Sequence, residues 1–160
     1  MRSARVVVAD GPLIALARVG GLRVLPKLFA ETLVTETVLA ECLARPDRPE
    51  GVEIGAAFDA GWLTRHPDPS HAGDWGLGAG ESGAIGLAQS LGVGLMADDR
   101  AARRVADSLG VPVIGVLGVL VLARRLGAIP EIRPLIQALV ESGYFLASTL
   151  IDEALRRVGE

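Results

Sequence analysis

RVVVADGPLIAL, residues 5–16, decides the fold. Arg5 to Ala9 is a short, β-branched run without polar alternation, as expected for a strand buried on both faces. Asp10 and Gly11 follow at its carboxyl end. Pro12 falls in a first helical turn, where a missing N–H costs nothing. The helix runs to about Val19 and stops at Gly20 and Gly21. A wholly apolar strand feeding straight into a helix opens a βαβ unit, and such units build parallel sheets covered on both faces.

The pattern repeats outward from this stretch. Leu22 to Phe29 reads as a second short helix and Thr32 to Val34 as an extended piece. Thr35 can cap a helix to about Ala44, which Pro46 and Pro49 would close off. A helix over Gly51 to Ala60 and a strand over Trp62 to His66 come next. HPDPSHAGDWGLG, residues 66–78, holds both histidines and reads as a surface loop. Glu81 to Leu91 is helical, Val93 to Ala97 a buried strand, and Asp98 or Asp99 caps a helix to about Leu109. Val111 to Ile114 gives another strand, before helices near 117–126, 132–142 and 149–158. Strands alternating with helices imply an α/β chain with a mostly parallel central sheet. There is no internal repeat and no linker.

A chain of 160 residues favours one domain, able to bury roughly two-thirds of its unfolded surface. Aromatics make up only 4%, which argues against gripping single strands with rows of stacked rings. The net charge is −3, so any nucleic-acid contact must rely on local arginines or bound metal rather than on bulk charge. The single cysteine, Cys42, excludes an intrachain disulfide and a Cys-rich zinc site. It reads as a small core residue, and a reducing cytoplasm fits. Arg2 and Arg5 before apolar residues resemble a signal peptide only faintly, because Asp10 interrupts the run. The longest apolar stretch, Val111 to Ala123, falls short of the ~20 residues a membrane helix needs.

Four acidic phrases carry the chemistry: VVVADGPLIAL around Asp10, ETVLAECL around Glu41, LGAGESGAIGLA around Glu81, and GLMADDRAARRVA around Asp98 and Asp99. Ligands of an open parallel sheet bind beyond the carboxyl ends of its strands, and Asp10 and Asp98 both lie there. Helix capping is the plainer account of each. In the pair, Asp99 would cap and Asp98 would point into the crevice. Glu81 could merely answer a helix dipole, although Gly78 and Gly80 before it let backbone approach closely. Glu41 flanks the stripe of Val38, Leu39, Cys42 and Leu43, where a solvated edge is the alternative. Separate caps and edges have no reason to meet. If these carboxylates do meet, they would hold a divalent cation, which points to phosphoester chemistry.

Arg100, Arg103 and Arg104 share a helical face opposite Val105, Ala106 and Leu109. They form either a solvated face or a grip on phosphates flanking the crevice. The spacing of His66 and His71 fits no metal motif. Ser82 lacks a nucleophile elbow, and no phosphate-cradling glycine motif is present. A phosphatase with a nucleophilic Asp would need an acid two residues on, where Pro12 stands.

Taken in order, strand–Asp–Pro-Leu-Ile-Ala-Leu, VLAE, LGxGE and ADDRAARRVA resemble the PIN-domain nucleases, in particular a prokaryotic, toxin-type branch. The resemblance extends through VPVIGVLGVLVLARRLGAIP to the last helices. It implies a single PIN-like domain over 1–160, with C-terminal helices from about 131, and a three-layer α/β/α fold. It also implies a Mg²⁺- or Mn²⁺-dependent endoribonuclease acting on single-stranded RNA, often a homodimer and the toxin partner of an antitoxin protein. Asp10, Glu41, Glu81 and Asp98 carry over as catalytic residues. Asp10, Glu81 and Asp98 would be the metal ligands, with Asp99 as a further candidate, and Glu41 would orient a water or complete the shell. Arg100, Arg103 and Arg104 would contact RNA. In that branch the Asp stands one residue farther from the Pro, at the place of Ala9 here. On a strand such a shift turns a side chain to the opposite face, unless Gly11 absorbs it. A catalytically weak or inactive module working through protein association is the alternative.

Overall fold

The structure, a computed structural model, describes residues 4–44 and 47–160. Arg2 and Pro46, both weighed above, lie outside the described residues. The chain opens with β1 (Arg5–Val8), α1 (Asp10–Arg18), a 3-10 turn (Leu22–Val24), α2 (Leu25–Leu28), β2 (Glu31–Thr35) and α3 (Glu36–Leu43). It continues with α4 (Pro49–Asp59), β3 (Thr64–His66), α5 (Ala79–Leu91), β4 (Gly94–Met96) and α6 (Arg100–Ser108). The last elements are β5 (Val113–Ile114), α7 (Val116–Arg125), α8 (Arg133–Glu141) and α9 (Ser148–Arg157).

The strands pair in parallel, in the order β3-β2-β1-β4-β5. Alternation along β1 divides the core in two. Val6 and Val8 pack on one face with α1, α3, α7 and α8, through residues such as Leu16, Val38, Leu120 and Leu139. Val7 and Ala9 pack on the other with α5 and α6, against Ile85, Ala88, Ala102 and Ala106. This is a three-layer α/β/α sandwich.

The order of the strands explains the layers. From β1 to β3 the chain steps one way across the sheet, with α1 and α3 on the first face. It then returns past β2 and β1 to lay down β4. A right-handed crossover that reverses direction must use the opposite face, and α5 and α6 do lie there. The reversal falls between β1 and β4, the topological switch point.

Three local readings change. Pro49 opens α4 and does not close off the preceding helix, since a first helical position needs no N–H. The stretch read as one helix from Leu22 to Phe29 is a 3-10 turn followed by a single α-helical turn. The α5 helix begins at Ala79, two residues before Glu81. Elsewhere, Thr35 caps α3 as read, its hydroxyl accepting the Val38 N–H at 3.2 Å. Among the described residues, no helix is long and apolar enough to cross a membrane.

Candidate active site

At the carboxyl ends of β1 and β4 lies a cavity of about 370 Å³, lined by Asp10, Glu81, Asp98 and Asp99 together with Tyr144 and Phe145. The strand β1 ends at Val8, so Asp10 is the first residue of α1 and the strand's face alternation no longer governs it. Ala9 is buried in the second core, while Asp10 turns into the cavity with its Oδ1 accepting the Gly11 N–H at 3.0 Å.

Glu81 stands on the third residue of α5, half-buried. Burial pushes its pKa up, and the Asp99, Asp10 and Glu41 carboxylates push it further. Glu41, on α3, is raised in the same way, first by partial desolvation and then by Asp10, with the Gly80 N–H partly offsetting. The absence of a side chain at Gly80 leaves room for the Glu41 carboxylate. A Cβ there would stand 2.5 Å from the Glu41 Oε2. Gly115 serves Asp98 similarly, since a Cβ on it would strike the Asp98 Oδ1.

The aspartate pair shares its tasks differently from the expected division. Asp99 caps α6, accepting the Ala102 N–H at 2.9 Å, yet it also lines the cavity and acts on Glu81. Asp98 lines the cavity but also caps α7, its oxygens lying 3.3 and 3.2 Å from the Val116 N. Arg103 reaches the rim, donating to the Ala97 carbonyl at 3.2 Å, with Nη1 3.9 Å from the Asp98 Oδ1.

Tyr144 was not read from the sequence. Gly143, at φ +91°, closes α8, and the Tyr144 N–H returns to the Leu139 carbonyl at 3.1 Å. The ring is thereby delivered to the site, where its hydroxyl donates to the Asp98 Oδ2 at 2.5 Å. Burial and this bond to a carboxylate raise its pKa.

The family model for the PIN domain matches residues 5–160. The chain belongs to the PIN-domain family. No curated protein matches it. Among solved structures it is similar to a PilT N-terminus domain protein from the hyperthermophilic archaeon Sulfolobus solfataricus P2. The two share 22% identity and a TM-score of 0.58 over 72% of this chain and 89% of that one, a likeness of fold. PIN domains are generally metal-dependent nucleases, and this PIN domain carries its acidic cavity at the switch point of the sheet.

Among the described residues, no three carboxylates stand close enough to chelate one ion directly. The donor set still suits a hard cation. It is all oxygen, it carries excess negative charge, and it surrounds space for water. Mg²⁺ keeps several of its own waters and needs only one or two protein carboxylates. Arg100 and Arg104 are exposed on α6, whereas Arg103 is half-buried at the rim. Burial, reinforced by Asp10, Glu41 and Glu50, pushes the Cys42 thiol up to about 12, leaving it an inert core residue.

Proposed function

We propose that this PIN domain is a Mg²⁺- or Mn²⁺-dependent endoribonuclease that hydrolyses phosphodiester bonds of single-stranded RNA. One observation carries the reading. Carboxylates from three separate segments of the chain border one cavity, and the protein supplies too little positive charge there to balance them. In this reading Asp10, Glu81 and Asp98 hold the cation, some of them through its own waters, with Asp99 beside them. When bound, the cation supplies Lewis-acid polarisation of a phosphodiester and acidifies water. Glu41 orients a water and takes up its proton, a role suited to a carboxylate whose pKa is already raised. Arg103 grips a flanking phosphate from the rim, with Arg100 and Arg104 farther out on the same helix.

The same proposal includes a homodimer, an antitoxin protein as partner and a cytoplasmic setting. The exposed apolar side chains Val140 and Leu150, on α8 and α9, suit a protein contact.

A second reading, a catalytically weak or inactive module that works through association, draws on Asp98. That residue is already engaged by Val116, Tyr144 and Arg103. Cleavage of a generic single-stranded RNA separates the two. Mn²⁺ should support it, EDTA should abolish it, and Glu81→Gln should lower it about 100-fold or more. Equal turnover in the Glu81→Gln variant, or none in the wild type, would sink the nuclease proposal. Glu81 is the better probe because Asp98→Asn would also disturb the cap of α7.

A further inference from the structure

Five of the chain's six aromatic residues, Phe29, Phe58, Trp62, Trp75 and Tyr144, pack into or against one of the two cores. Phe145 does not. It is 85% exposed, the most exposed of the large apolar side chains among the described residues, and it borders the acidic cavity. Its position is set by its neighbours. Gly143 ends α8, and Tyr144 and Leu146 both pack against the first core. The ring between them is thereby held out at the cavity mouth on an anchored segment.

We infer that Phe145 is the platform on which a base of single-stranded RNA stacks as the backbone enters the cavity, an inference that rests on the nuclease reading above. A base offers a neutral π-face, and stacking does not depend on sequence. The surroundings of the ring favour a nucleotide over a protein surface. Protein interface cores are depleted of charge, whereas Asp10, Glu81 and Asp98 line the same cavity as this ring. The apolar groove of the C-terminal helices, lined by Ile136, Val140, Ile151 and Leu155, does not include Phe145. With a net charge of −3, the chain gains little RNA affinity from long-range attraction. A stacking contact at the cavity mouth would compensate locally.

The test measures binding and cleavage separately on the full chain. Fluorescence anisotropy with a labelled RNA oligonucleotide in Ca²⁺ reports binding, and Mn²⁺-supported cleavage of the same RNA reports the activity. Phe145→Ala should bind about tenfold more weakly with an unchanged Tm, and Phe145→Trp should restore binding. A single abasic position in the RNA should weaken the wild type to the same degree and leave Phe145→Ala unaffected. A purely structural role would not produce that interdependence. Binding by Phe145→Ala within twofold of wild type, or no binding by wild type, overturns the inference. So does a Phe145→Ala protein that loses only self-association. Phe145-dependent binding without cleavage would instead leave the platform standing and remove the nuclease.

Discussion

Where α1 meets α4, Glu50 is 5% exposed and accepts from Arg18 Nη2 at 3.2 Å, with Arg48 Nη1 3.9 Å away. In the cavity, Glu81 faces Asp99, Asp10 and Glu41. The two side chains are chemically identical, yet their protons are governed in opposite directions. The Glu50 carboxyl is held below its ordinary value by its own backbone N–H and by the arginines, despite burial. The carboxyls of Glu81 and Glu41 are pushed above theirs. At α4 the chain provides the countercharge itself. At the switch point it supplies little, and in the proposed nuclease that is the difference between an acid that stabilises the fold and one available for chemistry.

Neutral replacements should break this contrast most sharply. Glu50→Gln should lower stability by about 1–3 kcal/mol, because it strips partners from charged hydrogen bonds. Glu81→Gln should stabilise the metal-free protein, since it relieves repulsion. Urea unfolding of both variants in EDTA measures the pair, and two shifts of the same sign would show that the environments do not differ.

Acidity should sharpen the comparison at intermediate scale. A raised carboxyl stabilises fully below the ordinary value of 4.5 and loses that contribution as pH climbs through its folded pKa. A depressed one stabilises above 4.5 and loses its contribution as pH falls through its folded pKa. Melting in EDTA should therefore rise as pH drops from neutral toward 5, then fall at stronger acidity as Glu50 protonates. Mn²⁺ should flatten the neutral limb alone. A flat limb in EDTA would contradict the proposed repulsion.

The smallest effect concerns Tyr144. Removing its hydroxyl with Tyr144→Phe should cost about 0.5–1.5 kcal/mol of stability. It should also tighten Mn²⁺ binding, because the Asp98 Oδ2 loses a competing donor. Calorimetric titration reads the affinity, and unchanged or weaker binding would mean that the hydroxyl helps to hold Asp98 in place for the ion.

The strand Arg5–Val8 and the helix after it were legible because both β-branching and the position of Pro12 act over a few residues. Asp10 and Asp98 could be placed at strand ends for the same reason. Whether Asp10 would reach the crevice was not legible, because it turns on where β1 stops. Two residues of strand more would have left its side chain on the face that Ala9 does not occupy. Pro49 was misread since proline both ends and begins helices, and only tertiary packing selects between them. Tyr144 gave no signal, being 46 residues beyond the Asp98 it touches. Nothing in the Gly143-Tyr144-Phe145 phrase reveals which ring faces inward. The link between Arg103 and Asp98 was hidden for a related reason, because a helical wheel assigns a face but not the reach of a long side chain.

At residue 80 the interests of helix and cavity diverge. Alanine there would suit α5 better than glycine by up to about 1 kcal/mol, yet its methyl would occupy the space that Glu41 uses. In the proposed nuclease, selection for a sturdier protein and selection for a working one thus pull this single position apart. Thermal screening alone would reward a change that displaces the Glu41 carboxylate.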